Sequence, residues 1–199
     1  MAKRAAPEVN AGSMADIAFL LLIFFLVTTT IETDTGINRK LPPIEDNEED
    51  VIIKQKNIFT VLLNGKDQLL VEDELMELKD IRKAAVEFLD NGGDGTCSYC
   101  RGKKDPGSSD NPDKAIISLK NERETSYKMY ISVQNELVAA YNFLRDRESN
   151  RLYGWNFSEV KKDIDAGTYL GDVTDARAKL KEVQLLFPLK LSEAEPKKN

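Results

Sequence analysis

The sequence predicts an α+β fold: a single N-terminal transmembrane helix followed by a small α+β periplasmic domain. Three observations predict it. Residues 11–31 form an apolar run whose only charge is Asp16. Residues 32–55 are polar, acidic and proline-bearing, the composition of an extended linker. Residues 56–199 then alternate short β-type patterns with longer helical ones, around an inserted loop near 91–113.

The first ten residues make a short tail carrying Lys3 and Arg4. At about 1.5 Å per residue, roughly 20 residues cross a hydrocarbon core of about 30 Å, and 11–31 meets that length. The basic start suits a cleaved signal, but the apolar run is too long and holds an acid. It also ends in Thr-Thr-Thr-Ile-Glu-Thr-Asp rather than at a small-residue cleavage site. An uncleaved span is the expectation. Basic residues precede the run, whereas Glu32 and Asp34 follow it. The positive-inside tendency therefore puts the N-terminus in the cytoplasm and the rest outside. Leu41-Pro42-Pro43 and the acidic run 45–50 read as a solvated spacer.

In the domain, 57–63 is rich in β-branched and aromatic residues and reads as a strand. Asn64-Gly65-Lys66-Asp67 reads as a tight turn, with Asn-Gly supplying positive φ, and 68–71 as the return strand. Residues 75–89 read as a helix with Leu78, Ile81, Ala85 and Phe88 on one face. The Gly-, Pro- and Ser-rich stretch 91–113 is an irregular loop. A second strand is expected over 114–120 and a long helix over 126–147. Ser126 is its N-cap, and Met129 or Tyr130, Val133, Leu137, Tyr141 and Leu144 form its buried stripe. Residues 155–165 read as a short helix or turn, and 174–184 as helical. Residues 185–191 read as a last strand that Pro188 makes an edge, and 192–199 as a charged tail.

Composition narrows the function. The net charge of −6 and a pI near 5.0 argue against nucleic acid as a partner. The absence of histidine removes the usual proton relay, triad base and commonest zinc ligand. No nucleophile–base pairing or phosphate-cradling motif is visible, so neither an enzyme nor a cofactor or metal is expected.

Asp16 is the most informative residue. A carboxylate in hydrocarbon costs several kcal/mol, so an intramembrane acid points to function. Residues 17–31 alone make only about 22 Å of helix, so the membrane needs residues before Asp16 too. Asp16, Leu20, Ile23, Val27 and Thr30 share a face. The alternative is an interfacial acid or helix-end charge. With no second span in the sequence, partner groups come from another subunit, which predicts an oligomer in the lipid. Thr28, Thr29 and Thr30 either bond across such an interface or bond their own i−4 carbonyls.

Cys97-Ser98-Tyr99-Cys100 lies in the irregular loop. No helix starts there to activate a thiol, and no second Cys pair or His completes a zinc site. An oxidising setting outside the membrane favours a structural disulfide over a metal or partner site, or a redox pair. Arg101, Lys103 and Lys104 make the loop basic, through simple solvation or a binding role.

Asn10, Asp16 six positions later, Ile17-Ala-Phe-Leu-Leu-Leu-Ile-Phe-Phe-Leu-Val-Thr28 and Leu41-Pro42 together resemble the ExbD/TolR family of ion-driven motor subunits. The short tail, single span, linker and small outer domain are similar too. Two departures stand out. Family members often carry Pro three residues before the acid, where this chain has Ser13. The 91–113 loop and the region after Gly154 are extra. The resemblance implies a homodimer within a ring of a polytopic ExbB/TolQ-like subunit in a bacterial inner membrane. Asp16 would carry protons, Asn10 would lie near their cytoplasmic exit, and a TonB-like or Tol-like periplasmic partner would receive the force. Its variants are a TolR-like, gliding or secretion motor. The competing class is a membrane-tethered periplasmic binding module whose span only anchors it.

Overall fold

The computed structural model describes residues 11–28 and 54–194. The chain divides into two units, Met1–Glu49 and Asp50–Asn199. In the first, helix α1 runs over Ala11–Thr28. Its 18 residues make about 27 Å of helix. Among the described residues no helix is long and apolar enough to cross a membrane. Residues 29–31, the expected end of the span, lie outside the described residues.

The second unit is α+β, with strands β1 (Ile58–Leu63), β2 (Leu69–Val71), β3 (Glu74–Met76), β4 (Ile116–Asn121) and β5 (Leu191–Ala194). Its helices are α2 (Leu78–Leu89), α3 (Tyr127–Tyr153), α4 (Phe157–Asp165) and α5 (Val173–Leu186). The strands form one mixed sheet in the order β3-β2-β1-β4-β5. β1–β2 and β2–β3 are antiparallel; β1–β4 and β4–β5 are parallel. The period-two pattern of β1 buries Phe59, Val61 and Leu63, and β4 buries Ile117 and Leu119 on the same core. Ile81, Ala85, Phe88 and Leu89 of α2 cover that core, together with Val133, Leu137, Ala140, Tyr141 and Leu144 of α3. A second core of Phe157, Val160, Ile164, Ala176, Leu180 and Val183 joins α4 to α5.

Several expectations need correction. The turn 64–67 is not a tight Asn-Gly hairpin. β1 and β2 resume pairing at Leu63↔Leu69, and the positive φ falls on Asp67 rather than Gly65. Asn64 Oδ1 organises this wider turn by accepting from the N–H groups of Lys66 (3.0 Å) and Gln68 (2.9 Å). The tight turn comes next. Glu72 and Asp73 both take positive φ between Val71 and Glu74, which pair. β3 therefore occupies residues expected to begin a helix, and α2 starts at Leu78.

α3 continues past 147 to Tyr153, because polar Arg145, Glu148 and Ser149 carry its buried stripe onward. Gly154 ends it at φ 77°, the left-handed geometry that glycine supplies. Ser126 caps its start by accepting from the Met129 N–H. The last strand is not 185–191. Leu185 and Leu186 finish α5, and β5 begins only at Leu191, the last residue of that stretch, and runs on into what reads as tail. It does form a sheet edge, with Pro188 in the connection before it.

Candidate functional site

Two regions hold the residues singled out by sequence, one in each unit. Asp16 lies in the second turn of α1, on a face with Leu20 and Ile23. Its carboxylate is exposed and has no partner among the described residues. The surface around it is apolar on every side: Ile17 is 60% exposed, Phe19 61%, Leu20 58% and Leu22 62%, and these four surround the axis. A helix apolar all round belongs in apolar surroundings. Asp16 is the only ionisable side chain on it. Asn10, Thr29, Thr30 and the Thr28 side chain lie outside the described residues.

In the second unit, the 91–113 loop is fastened at several points. Cys97 and Cys100 are joined by a disulfide. Among the described residues, no group of three or more His, Cys, Asp or Glu side chains is placed to hold a metal. The basic run does not converge on a site. Lys103 pairs with Glu87 at 3.1 Å, while the Arg101 N–H donates to Asp90 at 3.2 Å. Gly102 is required by packing, since a Cβ there would lie 2.5 Å from the Asp90 carbonyl oxygen.

Buried polar groups hold the loop to the domain. Arg147 on α3 donates to both Asp90 carboxylate oxygens, at 2.6 and 2.7 Å, and to Glu148 at 3.2 Å. Glu148, fully buried, also accepts from Arg151 at 2.6 Å. On the other flank Asp110 pairs with Lys56 and Lys54, accepts from the Asn57 side chain and donates its N–H back to Asn57. The Lys56 ammonium holds the Asp110 carboxyl below its ordinary value, against the pull of burial. Asp94 is lowered to about 2 by the hydroxyl and N–H of Thr96, with Lys114 adding to them.

A groove of about 400 Å³ opens between β1, α2 and this loop. Ile58, Phe59, Ala84 and Phe88 line its apolar part. Its lysines are already partnered, Lys56 by Asp110 and the Pro106 carbonyl and Lys103 by Glu87. The geometry offers apolar shelter rather than converging acid–base chemistry.

Sequence reasoning singled out Asp16 and the cysteines but missed Asp90, Arg147, Glu148, Asp110 and Lys56. Asp110 and Asn57 lie 53 positions apart and Asp90 and Arg147 57 apart, so no local spacing announces them. Only the i,i+3 pair Glu148–Arg151 had a readable signal.

A comparison with curated proteins gives no match. The family model described as Biopolymer transport protein ExbD/TolR matches residues 2–144. That stretch takes in Asp16 and all of α1, the sheet through β4 and the first two-thirds of α3, and leaves α4, α5 and β5 beyond it. With well over half of its length matched, and Asp16, the lone acid of α1, inside the match, the chain belongs to the ExbD/TolR family of biopolymer transport proteins.

Proposed function

We propose that the chain is the proton-carrying subunit of an inner-membrane motor of the ExbB–ExbD type. In this reading residues 11–31 span the membrane once, with the N-terminus cytoplasmic and the second unit periplasmic. The observation that carries it is Asp16: the sole ionisable group on an all-round apolar helix, inside the family-matched stretch. Such an acid is costly in lipid and supports a proton pathway with partner groups on other subunits. A homodimer inside a ring of a polytopic ExbB/TolQ-like subunit supplies those groups. Protons then load and leave Asp16 in turn, and the periplasmic unit passes force to a TonB-like or Tol-like protein. Each charge crossing about 100 mV releases about 2.3 kcal/mol, enough to bias a packed interface between arrangements. No enzymatic step is assigned.

Asp16→Asn tests the reading, because it keeps size and hydrogen bonding and removes the titratable charge. Cells carrying only the variant should assemble the complex, as judged by co-purification of the polytopic subunit, and lose gradient-driven transport. Normal transport would instead make the span a simple anchor for a periplasmic binding module.

A further inference from the structure

The 91–113 loop and the segment beyond the family-matched residues meet at Tyr99. The disulfide joins residues three apart and carries Tyr99 inside its small ring. From there the Tyr99 hydroxyl donates to the Leu186 carbonyl at 2.9 Å, and its ring meets Phe187 edge-on at 5.4 Å. The Tyr99 carbonyl accepts from Arg147 at 3.4 Å. Leu186 is the last residue of α5. Phe187 is fully buried, and its carbonyl accepts from Arg145 at 2.7 and 3.0 Å. Soon after, the Ile117 N–H donates to the Lys190 carbonyl at 2.9 Å, and β5 begins to pair with β4. The ring that holds Tyr99 thus also sets the point from which β5 is laid on the sheet.

We propose that the Cys97–Cys100 disulfide is a redox-responsive latch that, through Tyr99, holds the C-terminal end of α5 in place and with it β5 on the sheet edge. Exchange with a dithiol reductant breaks the Cys97–Cys100 bond. Two electrons and two protons pass to the sulfurs, giving two thiols, and the reductant closes its own disulfide. With the ring open, Ser98 and Tyr99 regain backbone freedom, and ordering Tyr99 against α5 becomes more costly. β5 keeps its β4 pairing, the packing of Leu191 on the main core and the contacts of Glu193 with Tyr130 and Gln134, while Lys190 keeps the Asp113 carbonyl and Phe187 keeps Arg145. It then opens more often, and β4 becomes the exposed edge of the sheet. Edge strands with few anchoring contacts are the segments that open at low free energy.

Hydrogen exchange on the full-length protein in detergent tests the latch. The oxidised and dithiol-reduced forms would be compared with Tyr99→Ala, Tyr99→Phe and a Cys97→Ser/Cys100→Ser double variant. Exchange at Ile117 and residues 191–194 is expected to rise at least about tenfold on reduction, in Tyr99→Ala and in the double variant. Tyr99→Phe, which keeps the ring, should lie between. Amides of the β1–β2 pair should not change. Faster exchange confined to 91–113 would overturn the latch, since the disulfide would then pin only its own loop. An equal rise across β1 and β2 would also overturn it, as would a disulfide that the reductant leaves intact in the folded protein.

Discussion

Arg147 binds the C-terminal end of α2 to α3 and to the loop, so Arg147→Met is a demanding test of the domain's construction. The replacement keeps the apolar stem and removes the guanidinium. Asp90, whose side chain is 8% exposed, then loses two charge-assisted hydrogen bonds and keeps the Arg101 N–H. Glu148 keeps Arg151. Removing one partner of a buried pair costs about 3–5 kcal/mol. The Arg147 side chain is 18% exposed, so water repays part of the loss and about 3 kcal/mol is expected. The Asp50–Asn199 unit has about 150 residues, for which 1 kcal/mol shifts Tm by roughly 3 °C, giving a fall of about 10 °C. The assay is thermal or urea unfolding, completed by Asp90→Asn and the double variant. A coupling energy of about 2 kcal/mol is expected between the two positions. A Tm change under about 3 °C with no coupling would instead make the pair an ordinary screened surface contact.

Two further outcomes follow from the loop. Asp94 sits below its ordinary value of 3.8, at about 2, so its contribution is complete above about pH 4 and is lost as pH falls through about 2. A carboxyl NMR titration should place its midpoint near 2, whereas a midpoint near 3.8 would show that Thr96 and Lys114 do not hold it. Gly102→Ala should cost about 1–3 kcal/mol, because its Cβ meets backbone at Asp90 and Asn91 rather than a flexible side-chain end. An unchanged unfolding midpoint would contradict the close approach.

The sheet and helices were legible where residue type and period agreed. Residues 58–63 combine β-branching with alternation, and Val133, Leu137, Tyr141 and Leu144 recur at helical spacing beneath a true Ser126 cap. Failures came where the two conflicted. Glu72 and Asp73 adopt positive φ with no Asn or Gly to mark the turn, so β3 was absorbed into a helix. Leu185, Leu186 and Phe187 look like a strand, but Leu185 and Leu186 finish α5 with Leu185 facing solvent and Phe187 is its buried C-cap, while β5 is built from Leu191 to Ala194 amid charge. The site was legible only where chemistry is local. An acid in an apolar run and a Cys-x-x-Cys pair are visible in a few residues. Asp110 with Lys56, and Asp90 with Arg147, exist only after the chain folds.

Proton movement through Asp16 can be measured in a purified system. The full chain would be reconstituted into liposomes with its polytopic partner subunit and a pH-sensitive dye inside. With an imposed gradient, the unaltered complex should pass protons, and Asp16→Asn should reduce that flux to the level of lipid alone while leaving the complex assembled. Equal flux through the assembled variant would contradict the account, because no other ionisable side chain lies on α1 to carry the proton.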